Sequence, residues 1–579
     1  MIKKTGTMKN FAMGILLAVM SAACFGQLKS EPEYEVKEEL DVKVVMRDGV
    51  RLSANIYRPD AEGRFPVLLV RTPYGKGGAG NRHAHFFAQR GYVVVTQDTR
   101  GRGESEGVFD AFQSEGIDGY DTQQWAGTQI WSNGKIGTYG GSYVGFTQWI
   151  PAALQSPYLI SMIPKVSFSD FHEVVYQNGA FRLDLFTPWS IEMTRPALVS
   201  AETVSGNMDS VLMSLPLVEQ GEAMGWSIPF LRDWLLHPGH DPYWDRTSVG
   251  QAYSGIRASV FNIGGWFDIF LGATINNYLK MTAPGMDPEI SRKQRLMIGP
   301  WVHSTGAREV GELDFGEAAF FREEETPFML RWFDSQLKGM ENGTMDDPPV
   351  KIFVMGINQW RFENDWPLPD TDYQDFYFHS GGQANSMHGD GHLGRKPARK
   401  AFTDQFIYNP EDPVPTIGKM GPYDMREVEE RSDVLVYTTA PLKEDLEVTG
   451  PVKAVVFASS SAVNTDFTAK LVDVYPDGRA MRICEGIIRA DHRDPDSFPS
   501  PIVPGKIYEY SIDLWATSNV FLKGHQMRVE ISSSNFPRFD RNLNTGKNFA
   551  TDTTMAVAEQ TVYHGPDHPS RIILPVINR

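Results

Sequence analysis

A serine, an aspartate and a histidine can together carry out acyl transfer, and this chain offers them in the order Ser142, Asp268, His303. Ser142 lies in Gly140-Gly141-Ser142-Tyr143-Val144-Gly145, between an expected buried strand and an expected helix. A tight strand-to-helix turn strains its central residue and lifts the hydroxyl clear of the sheet edge. The glycines permit close backbone approach. Alone the pattern is weak, because Gly-x-Ser-x-x-Gly arises by chance in roughly one chain in four of this length. Its position between strand and helix is what sets it apart from an inert glycine-rich turn.

A nucleophilic serine needs a base, and the base needs an acid to orient it. Asp268 follows the apolar run ending at Ile263, and His303 follows the next run, ending at Ile298. Both therefore project from the carboxyl ends of successive strands, where open α/β sheets place their ligands. An Asp capping the following helix and a buried loop His are the plainer readings of each residue alone. The order Ser, Asp, His and the shared position count against both at once. An oxyanion needs two donors. The Tyr143 backbone N–H is one candidate, and the Tyr74 hydroxyl, in Arg71-Thr72-Pro73-Tyr74-Gly75, is the other; an aromatic packed on its loop is the alternative for Tyr74. Trp149, Trp266 and Phe267 flank these residues and are candidates to line an acyl pocket or to pack the core.

The elements that must hold these groups alternate. Residues 42–46 and 52–57 read as a hairpin turning at Asp48-Gly49, and 66–70 and 92–96 as strands buried on both faces. Helices are expected to end near residue 90, with Gly91 as cap, and to span 120–128 and 144–154, with a strand at 136–139. This is an α/β domain with a parallel sheet, at 34–166 and 247–342. Residues 167–246 lack buried-strand runs, carry helical stretches at 209–215 and 230–236, and read as an inserted helical cap. Strands resume at 259–263 and 296–298, and Thr326-Pro327 reads as the N-cap and first position of a helix reaching 337. From 343 to 579, short β segments (350–354, 452–458, 468–474, 526–532) between Gly, Pro, Asn and Asp turns read as an all-β jelly roll.

At 579 residues the chain is too long for one core. A net charge of -17 argues against nucleic acid or an anionic membrane as partner. Lys3, Lys4 and Lys9 precede an apolar run at 11–19 that is too short to span a bilayer, so residues 1–26 read as an export signal for a periplasmic or secreted protein. Cys24 offers a lesser route, lipid anchoring, although Ser21 replaces the usual lipobox Leu. Cys24 and Cys484 are the only cysteines, which leaves no intramolecular disulfide once the signal is removed. His83 with His85, and His237 with His240, have metal-compatible spacing but no third ligand, so no metal or other cofactor is expected. Asp98 with Arg100 and Arg102 reads as a loop brace.

Five ordered motifs carry a resemblance: Thr72 to Gly75, Asp98 to Gly103, Gly140 to Trp149, Gly265 to Asp268 and Gly299 to Ser304. Together they resemble the bacterial cocaine esterase (CocE/NonD) group of X-Pro dipeptidyl-peptidase-like hydrolases, which includes glutaryl-cephalosporin acylases and α-amino acid ester hydrolases. The resemblance implies an α/β-hydrolase with a helical cap and a C-terminal jelly roll. It also implies Ser142 as nucleophile, His303 as base, Asp268 as orienting acid, and Tyr74 and Tyr143 as the oxyanion hole. The α-amino acid ester hydrolases carry acidic residues directly after the catalytic Asp, which grip the substrate ammonium. Here those positions hold Ile269, Phe270 and Leu271, and Asp184 in the cap reads as a solvated helix residue or a leftover acidic partner. The expected substrate is therefore a small ester or amide with an apolar acyl group. X-Pro dipeptidyl-peptidase activity on short peptides is the first alternative. A non-catalytic glycan- or cell-wall-binding protein is the second. The oligomeric state, monomer or homo-oligomer, is left open.

Overall fold

Strand β1 (Val36–Val45) and β2 (Arg51–Pro59) form the expected hairpin, with Gly49 at φ +87° in its turn. They belong to a computed structural model that describes residues 30–77, 81–494 and 499–579. The proposed export signal at 1–26, with Cys24, lies outside the described residues. Next come β3 (Phe65–Thr72), α1 (Asn81–Ala88), β4 (Val93–Asp98), α2 (Glu115–Gly127), β5 (Ser132–Gly141) and α3 (Tyr143–Ala152). Then follow β6 (Leu159–Lys165), β7 (Ser259–Gly265), α4 (Leu271–Thr282), β8 (Arg295–Gly299), α5 (Glu325–Lys338), β9 (Val350–Val354) and β10 (Gln359–Glu363). The ten strands form one sheet in the order β1-β2-β4-β3-β5-β6-β7-β8-β9-β10. From β4 to β9 every pairing is parallel. Strands β4, β7 and β8 are buried along their whole length, as helices on both faces require.

Three departures from the sequence reading have local causes. Strand β6 was not anticipated, because Ser161, Pro164 and Lys165 interrupt its apolar run. Helix α5 begins one residue before Thr326, with Glu324 at its N-cap, so Thr326-Pro327 lies inside the first turn. The Thr326 hydroxyl faces His83 Nδ1 at 2.9 Å instead of capping the helix. Residues 350–354, assigned to the β-rich segment, instead extend the first sheet, with Val350 opposite Leu296 and Ile352 opposite Ile298. A short apolar run fits either sheet, and only the partner strand decides.

The segment between β6 and β7 is helical, with Leu183–Thr194, Ala201–Met213 and Pro229–Leu236 as its longest helices. Its core is aromatic; Trp234 meets Phe171 edge-on at 4.8 Å, and both are fully buried. Beyond β10 an eleven-stranded sheet folds over a second core that includes Phe378, Tyr437, Phe467 and Tyr510. Several contacts dock this β-rich domain on the first, two of them beside the first sheet and α4. Arg361 grips Glu447 through two bonds of 2.9 and 2.6 Å, and the Trp515 indole covers Gly272 so closely that a Cβ there would lie 2.9 Å from the ring.

Candidate active site

The strand register sets the stage. Gly141 on β5 pairs with Lys165 on β6, Lys165 with Ile263 on β7, and Gly265 with Gly299 on β8. Residues just past these positions therefore leave the sheet along a common edge. Ser142 is the first, at φ 58° and ψ −127° between β5 and α3. A side chain in this left-handed region is strained, which is the signature expected of a strand-to-helix elbow. The elbow closes tightly: Ser142 N–H donates to Lys165 O at 3.0 Å, and Ser167 Oγ donates to Ser142 O at 2.9 Å. A Cβ on Gly145 would lie 2.4 Å from Ser167 Cβ and Oγ. Gly145→Ala should therefore dislodge Ser167 and cost about 1–3 kcal/mol of stability, read as a lower urea midpoint.

Asp268 and His303 are joined directly. His303 Nδ1 lies 2.7 Å from Asp268 Oδ1. The second carboxylate oxygen accepts the Phe270 N–H at 2.8 Å, so both oxygens are held. Asp268 is 1 % exposed, whereas His303 is partly open to the cleft. With Nδ1 donating to a carboxylate, Nε2 is left as the basic face. Gly265 lets the two loops approach, since a Cβ there would meet Trp301 O at 2.2 Å.

Tyr74 stands on the loop after β3, its ring 6.3 Å from that of Tyr143 and edge-on to it. Its hydroxyl accepts the Trp189 indole N–H at 3.2 Å, which leaves its own proton free to donate. Desolvation holds the phenol above its ordinary value, so it stays protonated. The Tyr143 N–H is the first of α3 and has no acceptor within its helix. Arg102 braces this corner, donating to Pro73 O at 2.9 Å and to Met193 O of the cap at 2.8 Å.

Relatives with this architecture are known. Residues 48–305 match the X-Pro dipeptidyl-peptidase (S15 family) model, and 342–573 match the X-Pro dipeptidyl-peptidase C-terminal non-catalytic domain. Cocaine esterase of Rhodococcus sp. (strain MB1 Bresler) is 38% identical over 572 residues, spanning 93% of this chain and 98% of its own. The chain belongs to the S15 family. It is a serine hydrolase with the α/β-hydrolase fold and a C-terminal β-rich domain. An aminopeptidase from a marine sediment Thaumarchaeota archaeon superposes with a TM-score of 0.80 at 28% identity, over 94% of this chain and 97% of its own. An α-amino acid ester hydrolase does so with a TM-score of 0.80 at 25% identity and the same coverage.

The expected pocket of this S15 hydrolase needs correction. Trp149 is fully buried in α3 against Tyr253, 5.9 Å away, and packs the core. Trp266 donates its indole N–H to Phe353 O at 2.7 Å and tilts against Trp366. Phe267 packs on Phe315. The chain turns after Gly265, with the Asp268 N–H donating to Gly265 O at 3.0 Å, and Trp266, Phe267 and Asp268 together line a cavity of about 30 Å³. That cavity holds a water or two and no acyl group. The aromatic residues beside the catalytic candidates are others. Phe270 meets the His303 ring edge-on at 5.3 Å, with Phe168 behind it at 4.7 Å, and Trp189 of the cap stacks 6.1 Å from Tyr143. Sequence reading passed over Trp189 because nothing local ties a cap residue to the site. Phe270 had a signal, its place two residues after Asp268.

The paired histidines are taken up by protein partners. His83 faces Thr326, His85 pairs with Glu38, His237 with Asp241 and His240 with Asp170. Asp184 is exposed at the start of its cap helix, yet the surrounding protein pushes its carboxyl up to about 6 against the pull of Arg538 and Arg182. In place of ammonium-anchoring acids, Ile269, Phe270 and Leu271 are all buried.

Proposed function

We propose that this protein hydrolyses small carboxylic esters, and amides more slowly, through an acyl-enzyme on Ser142. His303 takes the Ser142 proton and later passes it to the leaving group, Asp268 holds the imidazole, and the Tyr74 hydroxyl and Tyr143 N–H receive the oxyanion. The observation that carries this reading is the 2.7 Å His303–Asp268 contact at the sheet edge that also presents the strained Ser142. Phe270, Trp189 and the apolar residues after Asp268 favour an apolar, aromatic-sized acyl group over a free α-amino group. The relative named cocaine esterase points to ester chemistry. The family model named for X-Pro dipeptidyl-peptidase supports a second reading as a dipeptidyl-peptidase.

A panel of p-nitrophenyl esters decides between them. Benzoyl and butyryl esters should be turned over faster than aminoacyl esters, and a Gly-Pro chromogenic substrate should be the poorest. Preference for Gly-Pro would overturn the ester reading, and failure of a fluorophosphonate to label the protein would overturn the Ser142 assignment. Tyr74→Phe should lower kcat by about 10²- to 10³-fold with little change in KM, the range for loss of one oxyanion donor. We also read residues 1–26 as an export signal and the β-rich domain as a jelly roll. Amino-terminal sequencing of protein recovered from the periplasm tests the first.

A further inference from the structure

A fully buried ion pair joins the strand that precedes Tyr74 to the side chain of Tyr143. Arg71, near the end of β3, and Glu115, in the first turn of α2, are 3 % and 2 % exposed, with Arg71 NH1 2.9 Å from Glu115 Oε2. The other carboxylate oxygen, Oε1, accepts the Tyr143 hydroxyl at 2.8 Å. That phenol in turn accepts the Phe112 N–H at 3.0 Å. Phe112 sits at φ +71° and stacks on the Tyr143 ring at 4.2 Å. Arg71 is fixed further, its Nε donating to Gln97 Oε1 at 2.8 Å and its carbonyl accepting Thr147 Oγ1 of α3 at 3.1 Å.

We propose that Glu115 is a positioning residue of the oxyanion hole, which sets the spacing of the two donors by joining the strand end that carries Tyr74 to Tyr143. This rests on the Ser142 reading above. Only Thr72 and Pro73 lie between Arg71 and Tyr74, and Tyr143 follows the nucleophile, so one carboxylate spans both sides of the hole. Burying a carboxylate is costly unless it is paired. Burial pushes the Glu115 carboxyl up, and Arg71 and the Tyr143 phenol pull it back. Burial and Glu115 keep the Tyr143 phenol protonated, so it remains a donor. Misplacement of a donor by about 1 Å is enough to cost on the order of 10²-fold in rate.

The test compares a carbonyl ester with its thionocarbonyl analogue, whose sulfur is a poor acceptor in an oxyanion hole. Glu115→Ala and Tyr143→Phe should each lower kcat for the carbonyl ester by about ten- to a hundredfold. The thiono ester should lose much less, so the ratio of the two rates falls. Glu115→Gln keeps an acceptor for only one of its two donors, Arg71 NH1 and the Tyr143 hydroxyl, so it should also lower the ratio, by less than Glu115→Ala, and urea midpoints of all three variants separate positioning from failure to fold. Equal loss on both esters in Glu115→Ala and Tyr143→Phe, or unchanged carbonyl turnover, overturns the proposal. Absence of fluorophosphonate labelling in the wild type overturns the Ser142 reading instead.

Discussion

Ser142→Ala should lower kcat by about 10⁶-fold, the loss found when a triad nucleophile is removed, and should abolish fluorophosphonate labelling while the protein remains folded. The stability of a companion variant gives this prediction its second edge. Ser142 holds φ 58° and ψ −127°, where any Cβ is strained. Alanine keeps the Cβ and therefore the strain. Glycine releases it, so Ser142→Gly should be equally inactive yet at least as stable as Ser142→Ala. Strain of this kind is worth about 1–3 kcal/mol, and the extra chain entropy of glycine removes part of the gain. Urea midpoints of the two variants check it. If Ser142→Gly unfolds well before Ser142→Ala, the turn is not storing strain at the nucleophile. Residual turnover within tenfold of wild type would mean that another residue attacks the carbonyl.

What could be read from the chain alone followed from how local each signal is. The Ser142 elbow was legible because its glycines, its strand and its helix lie within a few residues of one another. Asp268 and His303 were legible because each ends a short apolar run in a parallel sheet, and parallel sheets gather such ends along one edge. Strand β6 was not, since Ser161, Pro164 and Lys165 break its apolar run, although it lies between β5 and β7 and is covered by α3 and α5. The direction of a large aromatic is harder still. Trp149, Trp266 and Phe267 all stand near a motif, and all three turn into cores, because the bend after Gly265 and the inner face of α3 decide which way they point. Trp189 reaches Tyr74 across 115 positions of sequence, a contact that only the folded cap creates. Strand β9 shows the same limit at the scale of domains, since a run such as Val350–Val354 says that it is a strand and not which sheet will take it.

Asp268→Asn should lower kcat by about 10⁴-fold with the fold preserved, the loss seen for the same change in a serine-protease triad. The hydrogen bonds around Asp268 explain why so small a change is so costly. Both carboxylate oxygens accept, one facing His303 Nδ1 at 2.7 Å and the other the Phe270 N–H at 2.8 Å. An asparagine has one oxygen and one NH₂ for these two places. If the oxygen faces Phe270, the NH₂ donates to Nδ1 and moves the imidazole proton to Nε2, so the ring cannot accept the Ser142 proton. If the oxygen faces His303, the NH₂ confronts the Phe270 N–H, and two donors are left opposed in a site that is 1 % exposed. The backbone N–H cannot rotate away, so the first arrangement is favoured and the wrong tautomer dominates. Loss should fall on kcat rather than KM, because substrate binding does not use the proton. Fluorophosphonate labelling should slow in parallel, since it too needs Ser142 deprotonated. Asp268→Ala leaves Nδ1 without an acceptor and should be no more active. If Asp268→Asn kept kcat within tenfold of wild type, another group would have to orient His303.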